Sequence, residues 1–178
     1  MKRGNPNAFP ELMLKLAALG KMEGRVGWFD TAKYEDGTSV AQVAEMQEFG
    51  TQSIPARPFM RPTATANKGK WSETAAAVSN QVLKGDMVPQ NAMQAITSQA
   101  EGDVLKGIVS VTSPPLSPIT LGVRKYKQMG REITGKTIGE IAEKIKEGTL
   151  DVSGVSTKPL NDTGYMIATL TTHVEKSE

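Results

Sequence analysis

A chain of 178 residues with no cysteine can form neither a disulfide nor a thiolate metal site. Its 21 basic and 19 acidic side chains leave a net charge of +2, too even a balance for a dedicated nucleic-acid binder despite a pI near 8.8. Hydrophobic content of 38% and aromatic content of 5% are low for a compact enzyme and fit a protein that completes its burial against neighbours.

The length allows one domain with a real core, or one domain plus an arm. No apolar run reaches the length of a membrane span, and the first residues lack an apolar signal core, so no membrane partner is expected. The absence of cysteine fits assembly in a reducing cytoplasm.

Residues 1–9 read as a flexible arm, and 10–178 as a single domain. A helix is expected from Pro10, with Leu12, Leu16 and Leu19 on one stripe, ending at Gly20. Residues 25–29 read as a strand, in which Trp28 is a core or interface residue. Residues 32–34 read as a second strand, turned by Asp36-Gly37.

The stretch 39–63 organises the chain. Thr38 or Ser39 can cap a helix whose Val40, Val43, Ala44 and Gln47 share a face, and Gly50 tolerates the positive φ that ends it. Pro55, Pro58 and Pro62 then stiffen a loop, and Pro58 or Pro62 suits the first turn of the next helix. Arg57 and Arg61 flank Phe59 and Met60, placing two cations around an apolar plug. Two readings stay open: a loop that docks on another surface, or a loop anchored in its own core.

A long helix is expected over 59–83, closed by Gly85, and another over 89–109. Gly102 and Gly107 each weaken the latter by about 1 kcal/mol relative to Ala, so a bend or early end is expected there. Residues 112–118 break it. Pro115 and Pro118 have the spacing of a polyproline ligand, but a rigid connector is the favoured reading.

Residues 121–135 are basic, with Arg124, Lys125, Lys127 and Arg131. A solvated face is the bland reading. The sharper one is a non-specific, salt-sensitive contact with DNA phosphates, diluted by Glu132, Glu140, Glu143 and Glu147. Ile138, Ile141, Ala142 and Ile145 form a short amphipathic helix ending at Gly148.

Two patterns imitate catalytic motifs. Residues 130–137 match the phosphate-binding loop of nucleotide hydrolases, with Lys136 and Thr137 in the ligating places. No apolar strand precedes them, and too little chain follows for the sheet that carries the magnesium-binding aspartate. Asp162-Thr163-Gly164 matches the aspartic-protease triplet, but Lys158-Pro159-Leu160-Asn161 is no apolar strand to bury that aspartate. His173 is the sole histidine, in an alternating segment 167–174 that reads as the final strand, and alone it makes no zinc site. No enzyme activity, metal or cofactor is expected.

Glu48-Phe49-Gly50-Thr51, followed by Ile54-Pro55-Ala56-Arg57-Pro58-Phe59-Met60-Arg61-Pro62, resembles the signature of a tailed-bacteriophage family of neck, tail-completion and tail-component proteins. Val26-Gly27-Trp28-Phe29, Tyr34, Asp36-Gly37-Thr38 and Val40-Ala41 are similar to its pattern, as is the distant Lys158-Pro159-Leu160-Asn161-Asp162-Thr163-Gly164. The resemblance covers roughly 10–116 and 157–175. Residues 122–156 exceed what the family needs, so 113–157 is expected as an inserted arm.

The resemblance implies an α+β fold, with a small antiparallel sheet from the 25–34 and 165–175 segments, several helices and extended loop arms. It implies a structural virion protein that forms a homomeric ring, six-fold or twelve-fold, at the head-to-tail junction of a phage assembled in the host cytoplasm. Its partners would be the head-closure or adaptor protein and the tail terminator or tail tube. The expected contacts are Glu48, Phe49, Gly50, Ile54, Pro55, Arg57, Pro58, Phe59, Arg61 and Pro62, with Phe59 as anchor. Asp162 is expected to cap a helical turn starting at Thr163, and Gly164 to allow close backbone approach. The alternatives are a tail terminator at the end of the tube, and a DNA-binding packaging accessory that uses Arg124, Lys125, Lys127 and Arg131.

Overall fold

The computed structural model describes residues 8–177. Within them the fold is α+β: α1 (Ala8–Gly20), β1 (Met22–Gly27), α2 (Val40–Phe49), α3 (Met60–Lys84), α4 (Pro89–Ser110), α5 (Pro118–Gln128), α6 (Gly135–Glu147), α7 (Tyr165–Ala168) and β2 (Thr171–Lys176). The expected N-terminal arm falls mostly on residues 1–7, outside the described residues, and α1 already begins at Ala8.

The α3–α4 hairpin is the frame. Gly85 closes α3 in the left-handed region, its N–H reaching Gln81 and Val82 carbonyls, and Pro89 opens α4, where no intrahelical donor is needed. α4 runs unbroken to Ser110, without the early end that its glycines allowed for. The physical reason lies at Gly107, where a Cβ would stand 2.2 Å from Thr63 Oγ1. The glycine lets the two helices approach, and the contact between them outweighs its weak helix propensity.

β1 and β2 pair antiparallel, from Met22 opposite Lys176 to Gly27 opposite Thr171, and lie on the other side of α4. Gly24 permits that approach, since a Cβ there would meet Thr97 at 2.2 Å. The expected second strand at 32–34 is instead a single bridge, Lys33 to Ser39, around the Asp36-Gly37 turn. The expected final strand is shorter than its alternating pattern: 165–168 coil into α7, with Thr169 N–H donating to Tyr165 O. Met166, Leu170 and partly buried Ile167 thereby turn into the core.

That core is built from Val40, Ala44, Phe59, Val104, Ile108, Leu160, Met166 and Leu170. A smaller cluster of Val78, Val82 and Ala92 receives Leu19 of α1. Trp28 packs edge-on against Phe59, with centroids 5.9 Å apart, and its Nε1 donates to Met166 O at 2.8 Å.

The segment expected as an extended arm is a helical hairpin. Gly122 of α5 sits against Ile141 of α6, where a Cβ would meet Ile141 Cγ2 at 2.5 Å. Ser117 caps α5, and Thr134 with Thr137 forms a reciprocal capping box at α6.

Candidate interaction surface

α3 opens with Phe59 at its N-cap, a residue that offers no acceptor. The acceptor comes from the end of α2. Glu48 takes the N–H of Phe59 at 2.6 Å, of Met60 at 2.9 Å and of Arg61 at 3.1 Å, and its Oε1 lies 2.9 Å from Arg61 Nε. A carboxylate against a helix N-terminus also faces the positive end of its dipole. Burial by itself raises the Glu48 carboxyl, but the N–H groups of Phe59 and Met60 and the Arg61 guanidinium outweigh it, so the group titrates below its ordinary range.

Joining α2 to α3 this way demands a sharp reversal. Gly50 makes it at φ 77°, where a Cβ would stand 2.8 Å from Ala56 N. Thr51 then folds the loop, its N–H donating to Ile54 O and its hydroxyl accepting from Ser53 and Ile54 N–H. Arg57 is buried. Its Nε donates to Pro114 O at 2.8 Å, its NH2 to Pro115 O at 2.9 Å, and its NH1 to Gln47 Oε1. Burial lowers its pKa, and the positive charge of Arg124 adds to that.

These contacts correct the expected interface. Phe59 is 2% exposed and Arg57 4% exposed, both consumed by their own chain. The anchor is an internal plug, because the Glu48 cap holds the start of α3 against the core. Glu48 is buried too, and Gly50 and Ile54 are half-buried. What the stretch displays is Phe49, 61% exposed under the Arg61 guanidinium at 4.6 Å, together with Pro55, Pro58 and Pro62.

The basic run is also redistributed. Arg124 is buried, donating to the carbonyls of Ser156, Lys158 and Asn161 and pairing with Asp162 at 3.2 Å. Lys125 reaches Ser153 O and Asp151, and Arg131 lies over the Tyr126 ring and pairs with Glu140 at 2.7 Å. Lys127 is exposed and lines a cleft with Asp36 and Asp162. Three of the four cations therefore meet carboxylates, and they form no stripe that could follow a phosphate backbone.

Contrary to expectation, Asp162 does not cap the turn, because Arg124 pairs with it. The Thr163 hydroxyl instead accepts from Tyr165 N–H at 3.3 Å. Gly164 serves the left-handed N-cap of α7 at φ 76°, where a Cβ would meet only the Asn161 side chain at an ordinary 3.8 Å, so no backbone makes the expected close approach. The phosphate-loop look-alike is preceded by α5 rather than a strand, and Thr137 is occupied by the Thr134 capping box. His173 stands exposed on β2, beside Phe29 and 3.8 Å from Glu175. No group of His, Asp and Glu among the described residues is arranged to hold a metal ion. No helix among them is long and apolar enough to cross a membrane.

Two groups stand out in the structure that the sequence pattern did not single out. Asp103 is buried on α4 and receives Trp71 Nε1 and Lys70 Nζ, each at 3.0 Å. On α1, Phe9 is 71%, Leu14 70% and Met13 50% exposed. The available signal was the count of apolar residues in α1, which exceeds what one buried stripe needs. Compared with family models, curated proteins and solved structures, the chain matches none.

Proposed function

We propose that this chain is a structural protein of a tailed-phage virion, acting by assembly rather than catalysis, as a homomeric ring at the head-to-tail junction. Its neighbours there would be the head-closure protein on one side and the tail terminator or tube on the other. The observation that carries the reading is the joint use of the residues behind the resemblance. Glu48, Gly50, Arg57, Phe59 and Arg61 build one rigid knot whose outer face displays Phe49 and three prolines. A stiff loop with an exposed aromatic loses little entropy on docking. The second motif, 158–164, is likewise held in shape by Arg124.

The test is native mass spectrometry of the chain, alone and mixed with the head-closure and tail-tube proteins of the same phage. A six-fold or twelve-fold species in either condition supports the ring. A chain that joins neither protein and stays monomeric in both conditions removes it.

A further inference from the structure

Residues 112–157 stand apart from the core that holds the rest of the chain. None of their apolar side chains belongs to, or packs against, either hydrophobic cluster: after Val111 the next residue to do so is Leu160. Instead α5 and α6 pack on each other. Gly122 lets Ile141 in, the two threonines of the capping box fix the start of α6, and Arg131 and Lys144 both lie over the Tyr126 ring.

What joins this lobe to the body is polar. The chain enters it at 112–117, where Arg57 of the body grips the carbonyls of Pro114 and Pro115. It leaves at 149–157, beyond which Arg124 of the lobe grips the carbonyls of Lys158 and Asn161 and pairs with Asp162. The third acceptor of Arg57 is Gln47 Oε1, and among the described residues no carboxylate pairs with it. A buried cation held only by neutral acceptors gains little over the same cation in water. Along the seam a cleft of about 340 Å³ lies unfilled, with Tyr34, Val43 and Gln47 on the body side and Leu116, Thr120 and Lys127 on the lobe side. Atoms facing such a gap forfeit the dispersion contacts that a packed seam would supply.

We propose that 112–157 is a latched lobe, which swings away from the body with its helical hairpin intact when the two arginine grips let go. Release breaks the hydrogen bonds of Arg57 and Arg124 and disturbs no apolar cluster, whereas unfolding the hairpin or the body breaks packed contacts as well. The swing uncovers Tyr34, Val43 and Gln47. The inference concerns a single chain and holds with or without a ring.

The experiment uses the full chain, which has no native cysteine, so that pairs of introduced cysteines take nitroxide labels cleanly. All the labelled positions are exposed. Lys68→Cys with Glu143→Cys spans the seam, Lys68→Cys with Asn91→Cys reports on the body, and Gln128→Cys with Glu143→Cys reports on the lobe. Double electron–electron resonance gives the distance distribution of each pair, with and without Arg57→Met, which keeps an unbranched side chain but removes the grip.

The expected result is a second, longer seam distance whose population rises about tenfold or more in Arg57→Met, the worth of one hydrogen bond to a charged group. The body and lobe pairs should keep their distances. A seam distance unchanged by Arg57→Met overturns the latch. A lobe pair that broadens together with the seam pair shows the hairpin unfolding in place, and overturns the swing. Wild type in rising urea gives a second measurement that does not require the variant to fold. There the seam pair should lengthen at lower urea than either control pair changes, and a simultaneous change of all three overturns the inference.

Discussion

Glu48 Oε2 accepts the backbone N–H of Phe59 at 2.6 Å, so the last turn of α2 caps the first turn of α3. One carboxylate thus fixes the direction of the longest helix and drives Phe59 into the core. Removing it strands the buried N–H of Phe59 and the part-buried N–H groups of Met60 and Arg61, and frees the Arg61 guanidinium to solvent. Glu48→Ala is expected to cost about 3 kcal/mol, and Glu48→Gln less, since its amide oxygen still accepts. Urea denaturation measures this as a lower midpoint with unchanged slope. A loss under about 0.5 kcal/mol for Glu48→Ala would show that the cap carries no weight.

The same carboxylate sets an acid limit. Glu48 titrates below 4.5, its N–H and guanidinium donors outweighing burial. Asp103 titrates below 3.8, because the Trp71 indole and the Lys70 ammonium outweigh burial there too. A depressed folded pKa means that the unfolded chain binds the proton more readily. These contributions are therefore complete above the ordinary carboxylate range and are lost as pH falls through the folded values. Stability should be flat above about pH 5 and decline below it, less steeply in Glu48→Gln. Urea midpoints from pH 2.5 to 7 give the comparison, and an identical acid limb in the variant would sink the assignment.

Two glycines of α4 should respond to alanine with opposite signs. At Gly102 a Cβ meets nothing within 4 Å, so Gly102→Ala should gain up to about 1 kcal/mol in helix propensity. At Gly107 the Cβ would collide with Thr63 and approach Phe59 O to 3.2 Å, so overpacking of about 1–3 kcal/mol offsets or exceeds that gain. Thermal melts of the pair decide it, and equal shifts in Tm would contradict the close approach of α3 and α4.

Exposed and buried members of the 48–62 knot should separate assembly from folding. Phe59→Ala empties a site that is 2% exposed and should cost about 3–5 kcal/mol, leaving the chain largely unfolded. Phe49→Ala touches only the Arg61 stack and should change stability by under about 1 kcal/mol while impairing head-to-tail joining. Joining assays beside melts test the split. Normal joining by Phe49→Ala would remove this loop from the interface.

Arg124 is expected to be a structural cation. Arg124→Ala strands the carbonyls of Ser156, Lys158 and Asn161, and should cost about 2–4 kcal/mol, with faster amide exchange concentrated in 152–164. A stability unchanged by the substitution, together with a lost salt-dependent affinity for duplex DNA, would return Arg124 to phosphate contact.

Much of the helical framework follows from neighbouring residues alone. Pro89 and Ser117 begin helices and Gly20, Gly50, Gly85 and Gly148 end them, through φ preferences and orphan N–H groups that act within a turn. What the sequence left open is which surface each element meets. The alternating pattern of 167–174 serves a strand throughout, yet only 171–174 join β2, while the packing of Met166 and Leu170 beside Leu160 turns 167–170 into the end of α7 and a core turn. Phe59 and Arg57 read equally as a docking anchor and as a plug. The carboxylate of Glu48 and the carbonyls of Pro114 and Pro115 made them a plug, across separations that local periodicity does not encode. The pairing of Met22 with Lys176, and the apolar stripe that α1 leaves uncovered, likewise exist only once distant segments share one core, because burial is a property of the assembled surface rather than of any short window.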